Sequence, residues 1–277
     1  MSRAIRLIAD DYGLAPGVGE AIIDLIERRR LSGTSCMTGF ADWPVQAARL
    51  VPLLDQAAIG LHLTLTDQPA LTGRSSLAPE SILPPLGALA LPLRRRPIEE
   101  GDVHAELDAQ FDRFVAALGR QPAFIDGHQH VHFLPVARSW LRRRFAGASG
   151  RPALRGAPTV WARFNAVGVK SGAVRVLAAG FESTMRRAGF AVMAPLAGLY
   201  DWRRPAGFAQ VAMAALRDLP EAGLFMCHPG RVDETLRGRD PMQAAREVEY
   251  DFLASDAFGA ALQAAGVSIA RGRQGIG

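Results

Sequence analysis

Asp126, His128, His130 and His132 fall within seven residues, in the stretch Phe-Ile-Asp-Gly-His-Gln-His-Val-His-Phe-Leu-Pro that runs from Phe124 to Pro135. Three of the six histidines in the chain lie here. Neutral imidazole is a common metal ligand, so the cluster points to a metal or catalytic site. Not all three rings can reach one ion. An extended segment places alternate residues on one face but spreads them over several strand rises. A helical turn after Gly127 would instead set His128 and His132 at i and i+4. One or two ligands are expected from this stretch, the other histidines being support or core.

The elements that must position these groups read as strands followed by polar residues and then helices. Residues 4–9 form an apolar run that delivers Asp10 and Asp11 at its end. Residues 58–66 alternate, with His62, Thr64 and Thr66 on one face. Phe124 and Ile125 lead into the histidines, residues 153–156 carry Arg155, and residues 223–230 end in His228-Pro-Gly. Helical spacing covers 18–30, 98–118, 136–145, 208–216, 241–254 and 257–265, with a further helical segment around 170–188. Strands alternating with helices predict an α/β fold with mostly parallel strands, and a (β/α) barrel fits the length. In a barrel the strand C-termini ring one mouth, so residues remote in sequence converge there. One domain over residues 1–277 is expected, with a loop insertion at about 69–97. That Pro-, Gly- and Leu-rich segment is long for an unused loop and reads as a lid, a substrate loop or an oligomer contact.

The chain has 277 residues, of which 49% are hydrophobic, enough for a sizeable core. No apolar run reaches membrane-spanning length, and the first residues lack a secretory signal pattern. A cytoplasmic location without stable membrane insertion is expected. Cys36 and Cys227 have no CxxC partner, which argues against a disulfide framework or a zinc–thiolate site. The formal charge is +5, yet Lys170 is the only lysine, and the arginine runs at 28–30, 94–96 and 142–144 read as solvated faces. No basic platform interleaved with aromatics is present, so nucleic acid is not an expected partner.

One carboxylate and two imidazoles on a divalent ion leave positions open for water and substrate, a catalytic arrangement. Such an ion lowers the pKa of bound water and polarises a carbonyl oxygen. Asp10 and Asp11 diverge on an extended chain, so one can bind metal while the other acts as base or packs. His228 is a candidate proton donor. Arg155 could hold the base carboxylate or a substrate oxygen, and Thr64 and His132 are further candidate substrate contacts.

The segments Ala-Asp-Asp-Tyr-Gly-Leu-Ala-Pro-Gly at 9–17, Gly-Leu-His-Leu-Thr-Leu-Thr at 60–66, Ile-Asp-Gly-His-Gln-His-Val-His at 125–132 and Cys-His-Pro-Gly at 227–230 together resemble the YdjC-type carbohydrate deacetylases. That family includes chitooligosaccharide and hopanoid-associated deacetylases. The resemblance spans nearly the whole chain with the motifs in the family's order; Tyr12 stands where the family usually has Phe. It implies a deformed (β/α) barrel and metal-dependent hydrolysis of an N-acetyl group on an amino sugar, carried by an oligosaccharide or a glycolipid. It implies Asp11, His62 and His128 as ligands of one divalent ion, magnesium or zinc, with Asp10 as general base and His228 as acid. A homodimer is a further expectation. Residues 159–202 and the loop after His62 fit the family poorly and border the expected sugar site. Two other readings use the same residues: a metal-dependent phosphoesterase with Arg155 as phosphate clamp, and a non-catalytic sugar-binding protein with a structural metal.

Overall fold

The computed structural model describes residues 3–90, 97–158 and 166–272. The arginine run at 94–96 and the start of the 159–202 segment lie outside them. Nine strands form one sheet: β1 (Arg3–Tyr12), β2 (Gly33–Cys36), β3 (Ala58–Leu63), β4 (Phe124–Gly127), β5 (Ala153–Arg155), β6 (Val192–Met193), β7 (Leu196–Ala197), β8 (Leu224–Cys227) and β9 (Val267–Ile269). The order is β6-β5-β4-β3-β2-β1-β8-β7, with β9 on the start of β1, and every ladder is parallel. β6 and β7 are separated only by Ala194-Pro195, and they pair with β5 and β8 respectively. The run 192–197 therefore bridges the two edges, and the sheet is a nearly closed, deformed barrel, as expected.

Parallel strands need crossovers, and most of the intervening segments carry helices. Helix Pro16–Glu27 buries Val18, Ala21, Ile22, Leu25 and Ile26, the stripe that its spacing predicts. Helix Glu100–Leu118 buries Val103, Leu107, Phe111, Phe114 and Leu118 and ends at Gly119, whose φ of 66° suits a left-handed cap. Of the loop expected at about 69–97, the described part is held down rather than free. Pro69 bridges Ile82, Leu77 and Ala78 are fully buried, and Glu106 accepts hydrogen bonds from the Leu71 and Thr72 backbone and the Thr72 hydroxyl.

Period-two alternation sorts the strand residues into two cores. Leu7, Ala9, Ile59, Leu61, Ile125, Leu154 and Phe225 join the large cluster under the helices. Ile8, Ala58, Phe124, Ala153, Met193, Leu196, Leu224 and Met226 form a separate cluster that fills the inside of the ring. Two residues further along four of these strands, the same inward face carries Asp10, Asp126, Arg155 and His228; β3 repeats the pattern after Gly60 with His62. The apolar plug thus supports a polar layer at the strand C-termini.

Gly60 is the fitting point of that plug, because a Cβ there would lie 2.5 Å from the Phe124 ring. Phe124 is fully buried and has no room to swing aside. Gly60→Ala is therefore expected to destabilise by about 1–3 kcal/mol through overpacking, lowering the melting temperature by roughly 2–10 °C. Thermal unfolding followed by circular dichroism tests this; an unchanged midpoint would show that the plug can yield.

Candidate metal centre and active site

Asp10 and Asp11 do not simply diverge. The register between β1 and β2 shifts between Ala9 and Tyr12, and Asp11 takes a φ of 68°, left-handed for a non-glycine residue. This bulge turns both carboxylates to the mouth. Strained backbone of this kind persists only where its surroundings hold it. Tyr12 packs beneath and donates its hydroxyl to the Gln46 carbonyl at 2.7 Å.

Asp11 Oδ1 lies 3.2 Å from His62 Nε2 and 3.0 Å from His128 Nδ1. One donor atom from each of these residues falls within 4.8 Å of the other two, a spacing that fits a shared cation. The supporting contacts leave those donors free for it. Asp126 Oδ1 takes His62 Nδ1 at 2.7 Å, the carboxylate–histidine pairing that fixes an imidazole for ligation through its other nitrogen. Arg246 donates to Asp11 Oδ2 at 2.6 Å, which leaves Oδ1 facing the histidines. Ser35 Oγ stands between His62 Nδ1 and Asp10 Oδ1, at 3.1 and 3.3 Å.

Charge gives a second test of fit. Four carboxylates, of Asp10, Asp11, Asp126 and Asp240, share two guanidiniums, of Arg155 and Arg246. A divalent cation would offset the excess. Burial alone would lower the His62 pKa, but Asp126, then Asp11 and Asp10, raise it to about 10, so without an ion the imidazole itself carries positive charge. A second grouping, Asp10, His62 and Asp126, is also close enough for an ion, but Arg155 already lies between its carboxylates. The first grouping is therefore the candidate metal centre.

Arg155 is fully buried and engaged with protein. It grips Asp10 with both terminal nitrogens, at 2.6 Å each, and touches Asp126 at 2.5 Å. Burial would raise the Asp10 pKa, yet Arg155 overrides it and lowers the carboxyl to about 2. Asp11 is likewise held well below the usual carboxylate range against burial, by Arg246 and His128. Of the two roles open to Arg155, its contacts serve the holding of a carboxylate, that of Asp10.

Of the triplet, His128 is the one whose ring meets Asp11 and His62. Gln129 and His130 adopt left-handed φ of 50° and 62° inside the short 3-10 turn His128–Phe133, so His128 and His132 do not share a helical face. His128 is half-buried at the mouth, whereas His132 is fully buried. The His132 ring lies 3.9 Å from that of Phe133 and edge-on to Phe181, and burial holds its pKa well below the ordinary value. His132 is thus buried among aromatic core residues rather than open at the mouth. Thr64 is also buried, its hydroxyl donating to the His62 carbonyl at 3.1 Å and its backbone N–H to Gln110, so it steadies the His62 strand.

His228 Nε2 stands 3.8 Å from Asp10 Oδ2. Burial lowers its pKa more than the Asp10 and Asp11 charges raise it. Cys36 and Cys227 are free and buried, with thiols pushed well above their ordinary range by burial. Sequence reasoning did not find Arg246, Asp240, Glu249 or Tyr200 as site residues. The available signal was on helix Ala244–Ala254, where Arg246, Glu249, Tyr250 and Leu253 follow helical spacing on the buried face.

A model of the family "YdjC-like protein" matches residues 4–264. The chitooligosaccharide deacetylase of Serratia marcescens is 36% identical over 159 residues, which cover 55% of this chain and 59% of that protein. The chitooligosaccharide deacetylase of Yersinia pestis (strain Pestoides F) is 34% identical over 139 residues, covering 49% and 53%. The chain thus spans a little over half the length of these curated relatives. A crystal structure of an Enterococcus faecalis V583 protein, described provisionally as a cellobiose-phosphate cleavage protein, shares the fold, with a TM-score of 0.73, 20% identity and 99% and 98% of the two chains covered. The family match runs from the first strand to the last long helix and takes in the acidic pair, both ligand-spaced histidines and the His-Pro-Gly loop; the chain belongs to the YdjC-like protein family.

Proposed function

We propose that this chain is a metal-dependent hydrolase that removes the acetyl group from an N-acetylated amino sugar, carried on an oligosaccharide or a glycolipid. The observation that carries the reading is the meeting of Asp11, His62 and His128 beside Asp10 and His228 at one barrel mouth. A divalent cation held by Asp11, His62 and His128, with magnesium and zinc the favoured identities, supplies Lewis acidity toward the acetyl carbonyl and the attacking water. Asp10 accepts the proton of that water. Arg155 keeps Asp10 ionised at neutral pH and makes it a weak base, which releases the proton readily. His228, 3.8 Å from Asp10 and so beyond direct hydrogen-bond reach, takes up that proton through an intervening water and delivers it to the departing nitrogen. A C–O bond forms, the C–N bond breaks, and acetate and the free amine leave. The phosphoesterase alternative loses its clamp, because Arg155 is spent on Asp10 and Asp126.

Acetate released from N-acetylglucosamine oligomers by the zinc-loaded chain, with a generic phosphate ester assayed in parallel, tests the reading. Asp10→Asn is expected to lower turnover by about 10²–10⁴-fold while zinc stays bound. Wild-type turnover in this variant with zinc retained would remove Asp10 as the base.

Metal uptake has its own pH signature. His62 must be neutral to ligate, and without an ion its pKa is raised to about 10. Zinc binding at pH 7 is therefore expected to release about one proton, with affinity rising as pH rises from 7 towards 10. Calorimetry in two buffers of different ionisation enthalpy reads the proton count; binding that releases none would contradict the His62 assignment.

A further inference from the structure

His228 has a weakly held ring. Among the described residues its Nδ1 has no hydrogen-bond partner, and its Nε2 is too far from Asp10 for a hydrogen bond. The position of the imidazole is therefore set by its backbone, whose own N–H is held by a side chain of the neighbouring helix. Glu249 Oε2 accepts the His228 N–H at 2.5 Å, and Glu249 Oε1 accepts the Tyr200 hydroxyl at 2.6 Å. Glu249 is fully buried on helix Ala244–Ala254. The Gly230 N–H also donates to the Arg246 carbonyl at 3.0 Å, so the His-Pro-Gly loop docks on the first turn of the same helix. The approach is close, since a Cβ at Gly230 would lie 3.1 Å from Val18 and 3.3 Å from the Arg246 side chain.

A buried carboxyl is costly unless its oxygens are used. Here both are used, one on the chain after β7 and one on the residue that faces Asp10. We infer that Glu249 is the positioning residue for His228, holding its backbone so that the imidazole stands beside Asp10, with Tyr200 fixing the carboxylate. Burial raises the Glu249 pKa to about 7, against Tyr200, the His228 N–H and Arg246 and with some help from Asp10, in keeping with a carboxylate kept for its geometry. Arg246, three residues earlier, serves Asp11 instead, so one helix supports the metal ligand and the proton donor through different side chains.

The inference rests on the deacetylase reading only for its activity arm, and the test separates the two. Full-length protein with labelled histidine, loaded with zinc, is compared as wild type, Glu249→Ala, Glu249→Gln and Tyr200→Phe. In Glu249→Ala the His228 ring resonances are expected to shift while those of His62 and His128 stay, with zinc affinity within about twofold. Turnover on N-acetylglucosamine oligomers is expected to fall by about 10²-fold in kcat with KM little changed, as for a misplaced catalytic group. Glu249→Gln keeps an acceptor for the N–H and is expected to recover most of the kcat; Tyr200→Phe is expected to shift His228 in the same direction by less. Should Glu249→Ala fail to fold, these two milder variants carry the test. An unmoved His228 resonance in folded Glu249→Ala, a parallel loss of zinc and turnover, or unmoved signals in Tyr200→Phe would overturn the inference. Absence of acetate release by the wild type would sink the deacetylase reading and leave the resonance test standing.

Discussion

The buried guanidinium of Arg155, shared by Asp10 and Asp126, is the interaction on which the rest of the site depends. Carboxylates taken out of water at the top of an apolar plug need a partner, and removing one member of such a group leaves an uncompensated buried charge. Arg155 supplies that partner from β5, beside the β4 carboxylate of Asp126 and reaching the β1 carboxylate of Asp10. With one oxygen on Arg155, Asp126 still holds His62 Nδ1 through the other. The orientation of His62 Nε2 towards Asp11 and His128 thus follows from the placement of a single cation. The ring of strands is the frame that allows it, because neighbouring parallel strands bring Asp126 and His62 into register.

Much of this was legible in the residues. The alternation along β1 and β4, with an apolar residue followed two positions later by Asp10 or Asp126, and along β3, with Ala58 and Gly60 before His62, belongs to the sequence itself, and a parallel barrel turns it into a polar layer above an apolar plug. What the sequence could not convey was backbone detail at the strand ends. The bulge at Asp11 and the left-handed pair Gln129 and His130 use residues other than glycine, so no composition signal marks them. These features decide that Asp11 joins Asp10 at the mouth and that His132 turns into the Phe133 and Phe181 cluster. The two-residue strands β6 and β7 are too short to carry a period, yet they bring the barrel close to closure.

The supporting groups were illegible for a different reason. Arg246 and Glu249 share a helical face with Tyr250 and Leu253, a weak sign of burial, but their partners Asp11 and His228 lie far away in sequence. Only the fold shows that this face is buried. The contrast with Arg155 is instructive, since a lone arginine at the end of a short apolar run already suggested an inward position. The loop after His62 shows the same limit: Glu106, from a helix far along the chain, ties it down through three hydrogen bonds.

The central claim is that Asp11, His62 and His128 share one cation. Diffraction from crystals soaked in zinc, recorded on both sides of the zinc absorption edge, tests it most directly. The account predicts one anomalous peak in contact with Asp11 Oδ1, His62 Nε2 and His128 Nδ1, at about 2.0–2.2 Å from each. A peak held instead between Asp10 and Asp126, or no peak at the barrel mouth in zinc-saturated crystals, would contradict it.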